Sequence, residues 1–184
     1  MENSPCIKVE HVNKCFGKKQ VLFDINLTVP YSQVLCLLGP SGSGKTTLVK
    51  SIAGIDIPSS GEVYLLDEKM PKLSMMSKIG YMAQADALYG ALTAEENLRF
   101  FASLYNISKT KQKQRINEVM ELVNLSDDLK KQVKQYSGGM KRRLSLAIAL
   151  IHEPPVLLLD EPTVGIDPLL RKTIWDELYK LRDA

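Results

Sequence analysis

Histidine and cysteine are scarce in this chain: among 184 residues there are two His and three Cys. Cys6, Cys15 and Cys36 are odd in number, show no C-x-x-C spacing and have no paired histidines nearby. That argues against a disulfide framework and a zinc site, and fits a reducing, cytosolic setting. Long apolar runs are missing as well. The longest, "VLCLL" and "PPVLLL", fall far short of the roughly 20 residues that span a bilayer, and Met1 to Glu10 lacks the apolar core of a secretory signal. Any membrane role therefore falls to a partner. A net charge of +3 is too small to predict nucleic acid or an anionic membrane as a partner. There is no internal repeat and no low-complexity tract, and the length suits one domain with a core, with room for a small subdomain.

What is present is strongly patterned. "IKVEHV" and "VLFDINLTV" alternate apolar and polar residues around a "GKK" turn, which predicts a β-hairpin. "VLCLLG" reads as a short strand buried on both faces, running through a glycine-rich loop into the helix "KTTLVKSIAG". After the turn "PSSG", the stretches "EVYLLD" and "KIGYMAQ" read as further strands. From Leu92 the period becomes helical. Thr93 and Glu96 form a capping-box signature ahead of Leu98, Phe101, Ala102 and Tyr105 on one face, and Ile116, Val119, Met120 and Val123 make a second stripe. A further helix opens after Ser137 and must stop before Pro154. "VLLLD" then predicts another buried parallel strand, and Asp167 followed by Pro168 predicts a last helix. The chain stops before the next parallel strand such a helix should lead to, so it reads as a C-terminally truncated domain.

"GPSGSGKTT", Gly39 to Thr47, is a full match to G-x-x-x-x-G-K-[ST] in the strand-to-helix setting the motif requires. Backbone N–H groups of Gly39, Ser41–Gly44 and the helix start can wrap phosphates, Lys45 supplies a point charge at the β/γ end, and the Thr46 hydroxyl is placed to hold Mg²⁺. A plain glycine-rich turn is the competing reading, and the full match disfavours it. "PVLLLDE" puts Asp160 at a strand exit, where a carboxylate can hold the metal through water. Glu161 follows, placed to orient and polarise an attacking water as a general base. Alone, two acids after an apolar strand would be unremarkable; the phosphate loop gives them a function.

Beside these, "YSGGM" at Tyr136 to Met140 opens a helix. In order, "GPSGSGKTT", Gln84, "YSGGM", "LLLDEP" and "VGID" resemble the phosphate loop, Q-loop, signature, metal-binding strand and D-loop of the ATP-binding cassette (ABC) ATPases. Tyr and Met stand where the signature most often has Leu and Gln. The resemblance covers nearly the whole chain. It implies an α/β fold: a P-loop NTPase with a RecA-like parallel core, an antiparallel β subdomain and a helical subdomain. The expected division is about 1–91 for the β subdomain and phosphate loop, about 92–150 for the helical subdomain with the signature, and about 151–184 for the rest of the core. It also implies ATP and Mg²⁺ as cofactors, with Gly39, Pro40, Ser41, Gly42, Ser43, Gly44, Lys45, Thr46 and Thr47 on the phosphates and Thr46, Gln84 and Asp160 around the metal. Glu161, Lys45 and Gln84 would carry catalysis. Phe16 would stack on adenine, against an even-handed alternative as a hairpin core residue. Ser137, Gly138, Gly139 and Asp167 would act in trans, because such cassettes pair head to tail and each signature closes on the other's ATP.

The same resemblance implies the partners: a second cassette, identical or not, and a transmembrane domain in the same full-length polypeptide, at the cytoplasmic face of a membrane and without nucleic acid. The run from Gly138 to Pro168 is most similar to type-2 exporters, including the ABCG- and ABCH-like eukaryotic members, and so implies export driven by ATP hydrolysis. A soluble cassette of DNA repair or translation is the alternative. The repair type needs a long coiled coil, whereas here the insert is short and without sustained heptads. A fragment that binds ATP without turnover is the third reading, since the family's switch histidine would lie past Ala184, and His11 and His152 match neither its position nor its setting. A GTPase would need an N-K-x-D guanine reader, which "NKCF" is not. Lys141, Arg142 and Arg143 read as a solvated helix face rather than a phosphate clamp, as does "KTKQKQR".

Overall fold

Strand β1 (Ile7–Phe16) and strand β2 (Lys19–Val29) form the expected antiparallel hairpin, with Ile7 opposite Val29 and Phe16 opposite Lys19. The computed structural model describes residues 4–183 apart from Asp86, Thr163 and Val164. On its other edge β1 pairs antiparallel with β3 (Ser60–Leu65), which carries the two-residue strand β4 (Glu68–Lys69), giving the order β2–β1–β3–β4. Val63 and Leu65 face inward by simple alternation, and Val9 and Val12 do so across a register shift at His11 (φ +50°); all four are at most 2% exposed. Helix α1 (Lys45–Ile52) packs against β2 and β3 through Leu48, Val49 and Ile52.

The strand expected from "VLCLLG" is not formed. Residues 34–38 have no regular structure, and Val34, Leu35 and Leu38 are 41%, 49% and 90% exposed. A continuous apolar run states a demand for burial on both faces, and only flanking strands satisfy it. Neither of the two described sheets takes this segment in.

The second sheet is a parallel pair, β5 (Ile79–Met82) with β6 (Val156–Leu159), in register from Ile79 opposite Val156 to Met82 opposite Leu159. Helix α2 (Ala94–Leu104) begins at Thr93 with a complete capping box, and α3 (Lys109–Leu122) begins at Ser108. Helix α4 (Gly138–Leu150) ends ahead of Pro154, and α5 (Pro168–Asp183) starts on the predicted Pro168. These elements share one apolar core in which Leu98, Ile116, Met120, Leu144, Leu146 and Ile174 are at most 2% exposed. Helix α4 lies hard against β5: a Cβ at Gly80 would sit 2.3 Å from the Ala149 carbonyl oxygen. The chain divides into two compact units, Met1–Met76 with Arg182–Ala184 and Ser77–Leu181, so the helical stretch shares a unit with β5, β6 and α5 up to Leu181. Cys6, Cys15 and Cys36 are free thiols. Among the described residues no helix is long and apolar enough to cross a membrane.

Candidate functional site

The phosphate loop closes on itself before α1 begins. Ser43 N–H donates to the Pro40 carbonyl at 3.3 Å, and Lys45 Nζ folds back to donate to the carbonyls of Gly39 (2.8 Å) and Pro40 (2.9 Å). Gly44, the N-cap of α1, sits at φ +93°, a conformation that favours glycine. A Cβ there would also lie 2.9 Å from the Leu22 side chain on β2, so the loop is seated directly on the sheet. Helix α1 has no side-chain cap and no acid in its first turn. Helix α2, by contrast, satisfies its first N–H groups with the carbonyls of Lys131 and Leu129 and the Thr93 hydroxyl, and places Glu95 and Glu96 there. The uncapped, acid-free start of α1 suits an anion that brings its own oxygens. Phe16 is 50% exposed, which removes the hairpin-core reading, and the Lys14 ammonium lies 5.0 Å from its ring centre.

In the second unit, the exits of β5 and β6 bring together three of the predicted residues. Asp160 N–H donates to the Met82 carbonyl at 2.9 Å, carrying the parallel pairing one residue beyond the strands. Asp160 is 4% exposed, and among the described residues its Oδ2 has no hydrogen-bond partner. A buried, unpartnered carboxylate oxygen is costly. It fits a site that receives a metal-bound water, so the residue present suits Mg²⁺. Gln84 Nε2 donates to Glu161 Oε2 at 3.3 Å, placing the two proposed water-handling side chains in contact although 77 positions separate them. Glu161 has φ +52°, an unusual backbone for a residue with a Cβ.

Those two strand exits are held by a residue the sequence reading placed in solvent. Arg142 is 5% exposed, and its guanidinium donates to the carbonyls of Ala83 (2.6 Å), Gln84 (3.0 Å), Asp160 and Glu161 (2.8 and 3.1 Å). Arg143 is also engaged, donating to the carbonyls of Val123 (2.9 Å) and Asn124 (2.7 Å). Its charge is destabilised by burial. The solvated-face reading therefore fails for both arginines. The overlooked signal is positional: Arg142 lies four, seven and eight residues before the buried Leu146, Ala149 and Leu150, on the inward face of α4.

The signature stretch and the start of α5 line one cavity of about 650 Å³ that includes Ser137, Gly138, Gly139, Gly165 and Asp167. Ser137 caps α4, its Oγ accepting from Met140 N–H at 3.2 Å, and no acid occupies the first turn. Asp167 caps α5, accepting from Leu169 N–H at 2.9 Å. Val164, part of the "VGID" stretch, lies outside the described residues. The unusual Tyr136 is explained by packing: it is 5% exposed and its hydroxyl donates to the Asp128 carbonyl at 2.8 Å. Burial, reinforced by the Asp128 charge, pushes its pKa up to about 12.

Comparison with known proteins agrees with this arrangement. The sequence pattern of the ABC transporter family matches residues 22–164. The linearmycin resistance ATP-binding protein LnrL of Bacillus subtilis is 37% identical over 97% of this chain and 58% of its own length. ABC transporter G family member 20 of Dictyostelium discoideum is 38% identical over 97% of this chain and 25% of its own length. An Fe(3+) ions import ATP-binding protein, FbpC of Mannheimia succiniciproducens, is 35% identical over 100% of this chain and 52% of its own. The chain thus spans between a quarter and about three-fifths of the curated relatives it matches. An ATP-binding cassette solved as a dimer, in a post-hydrolysis state with ADP and Pi, superposes with a TM-score of 0.86 at 30% identity, covering 96% of this chain and 83% of that one. The fold is that of the P-loop NTPase cassettes.

Proposed function

This chain belongs to the ABC transporter family of ATP-binding cassettes, and from that premise we propose that it binds Mg-ATP and hydrolyses it to ADP and phosphate to drive export across a membrane. The observation that carries the reading is the cluster at the exits of β5 and β6: Gln84 against Glu161 at 3.3 Å, beside the buried, unpartnered Oδ2 of Asp160. Lys45 and the N–H groups of Gly39 and of Ser41 to Thr47 would bind the phosphates, and the exposed ring of Phe16 would stack on the base. Thr46 and, through water, Asp160 and Gln84 would hold Mg²⁺, which when bound spreads the charge of the phosphate oxygens. Glu161 would take the proton of the attacking water, with Gln84 fixing where that carboxylate points.

The second phosphate-binding feature makes sense in a pair of cassettes. The cavity at Ser137, Gly139 and Asp167 would receive the terminal phosphate of ATP held by the partner cassette, drawn by the acid-free N-terminus of α4. A transmembrane domain would receive the resulting closure, with the cassettes at its cytoplasmic face. Relatives named for import and for resistance both occur; export is favoured by the likeness of the Gly138-to-Pro168 run to type-2 exporters. The test is Glu161→Gln in the full-length protein. Mg-ATP binding should hold within about threefold while turnover falls roughly 10²-fold or more. A full-length protein that binds no Mg-ATP, or a variant that turns over at the wild-type rate, overturns the reading.

A further inference from the structure

Building on that function, we propose that Arg142 is a positioning residue: it ties the helix that opens at the signature to the backbone of Gln84 and Glu161 in the same chain. One planar guanidinium accepts no alternative description as a surface charge, since its three nitrogens donate to four carbonyls drawn from the ends of two strands. Two of those bonds, at 2.8 and 3.1 Å, converge on the Glu161 carbonyl. That is the residue held at φ +52°, where a Cβ is disfavoured and an external restraint is needed. With its carbonyl fixed, the Glu161 side chain is aimed at Gln84, whose own carbonyl the same guanidinium holds at 3.0 Å.

The other end of the connection is the cavity. Arg142 stands just over one turn into α4 and lines the same cavity as Ser137, Gly139 and Asp167. A phosphate entering there bears on the first turn of α4, and any displacement of that turn reaches the Gln84 and Glu161 backbones through the guanidinium. The signature of one cassette would therefore report on its own water-handling pair as well as closing the partner's site. Lysine could not substitute, because a single ammonium cannot reach four carbonyls in a plane.

The experiment uses the full-length protein in its active assembly, with Arg142→Ala and Arg142→Lys. Both should lower kcat by about tenfold or more while leaving KM for ATP within about threefold, the pattern of an interaction expressed in the transition state. Added guanidinium at non-denaturing concentration should restore part of the Arg142→Ala rate. Combined with Glu161→Gln, Arg142→Ala should slow turnover by no more than about twofold further, because both changes act through one group. Hydrogen exchange without nucleotide should quicken at residues 80–85 and 157–162 in Arg142→Lys and stay unchanged in β1–β3. Wild-type kcat in the variants, an effect on KM alone, full additivity with Glu161→Gln, or unchanged exchange would each overturn the proposal. Should Arg142→Ala not fold, Arg142→Lys carries the kinetic test. A wild-type assembly that binds but never hydrolyses Mg-ATP sinks the proposed function, and the exchange measurement then decides separately whether Arg142 holds the two strand exits.

Discussion

Alanine at Gly139 should leave the fold less stable than alanine at Gly138, although the two are neighbours in the first turn of α4. Nothing lies within 4 Å of a Cβ built at Gly138, whereas one built at Gly139 would sit 2.9 Å from the Gly165 carbonyl oxygen. Both changes gain the same helix-propensity benefit, up to about 1 kcal/mol, from the lower backbone entropy of alanine. Only Gly139→Ala adds the strain of forcing a methyl against a backbone oxygen, about 1–3 kcal/mol. The shared benefit cancels in the comparison, so the gap between the variants equals the strain alone. Urea unfolding can read it through Trp175, the single tryptophan, which packs against the core of the second unit. The midpoints should separate by the equivalent of about 1–3 kcal/mol at unchanged m-value. Equal midpoints, or Gly139→Ala as the more stable variant, would refute the close approach of α4 to the turn at Gly165.

Two further outcomes follow from polar contacts in the helical region. The His152 ring stacks on Tyr105 with centres 3.7 Å apart, and its Nε2 is 3.1 Å from the Ile79 carbonyl oxygen; burial holds its pKa below the ordinary 6.5. Above that pH the ring is neutral in both states, and as pH falls below it the unfolded chain takes the proton first, so stability declines towards acid. His152→Gln should flatten the drop in melting temperature between about pH 7.5 and 5.5, and an unchanged slope would exclude His152 as its source. Thr93→Ala removes the acceptor of the Glu96 N–H bond at 3.2 Å and should cost about 1 kcal/mol in urea unfolding at neutral pH. Because hydrogen bonds from Thr93 hold the Glu96 pKa below 4.5, that difference should shrink as the medium is acidified through the folded pKa. A difference independent of pH would mean that the box does not act as a unit.

Local features were legible wherever one stretch of chain carries its own reason for its conformation. The capping box at Thr93, the helix start at Pro168, the hairpin around Gly17 and the glycine-rich turn before α1 all came through, because each is decided by contacts within a few residues. The run from Val34 to Leu38 did not, since apolarity demands burial without naming what provides it. Arg142 was misplaced for a related reason. A basic residue on a helix is solvated by default, and only carbonyls 18 to 59 positions away, turned inward at two strand exits, made burial favourable.

The amino-acid order by itself determined the glycine-rich turn and the uncapped start of α1: the spacing of Gly39, Gly44, Lys45 and Thr46 fixes which groups the backbone can offer there, and a motif this local needs no distant partner to be read. Tertiary structure alone decided that Gln84 meets Glu161, that Asp160 keeps an oxygen unpartnered among the described residues, and that Gly139 lies against Gly165. Each of those depends on where parallel strands end and how closely a helix can approach them, which is set by packing between residues far apart in the chain.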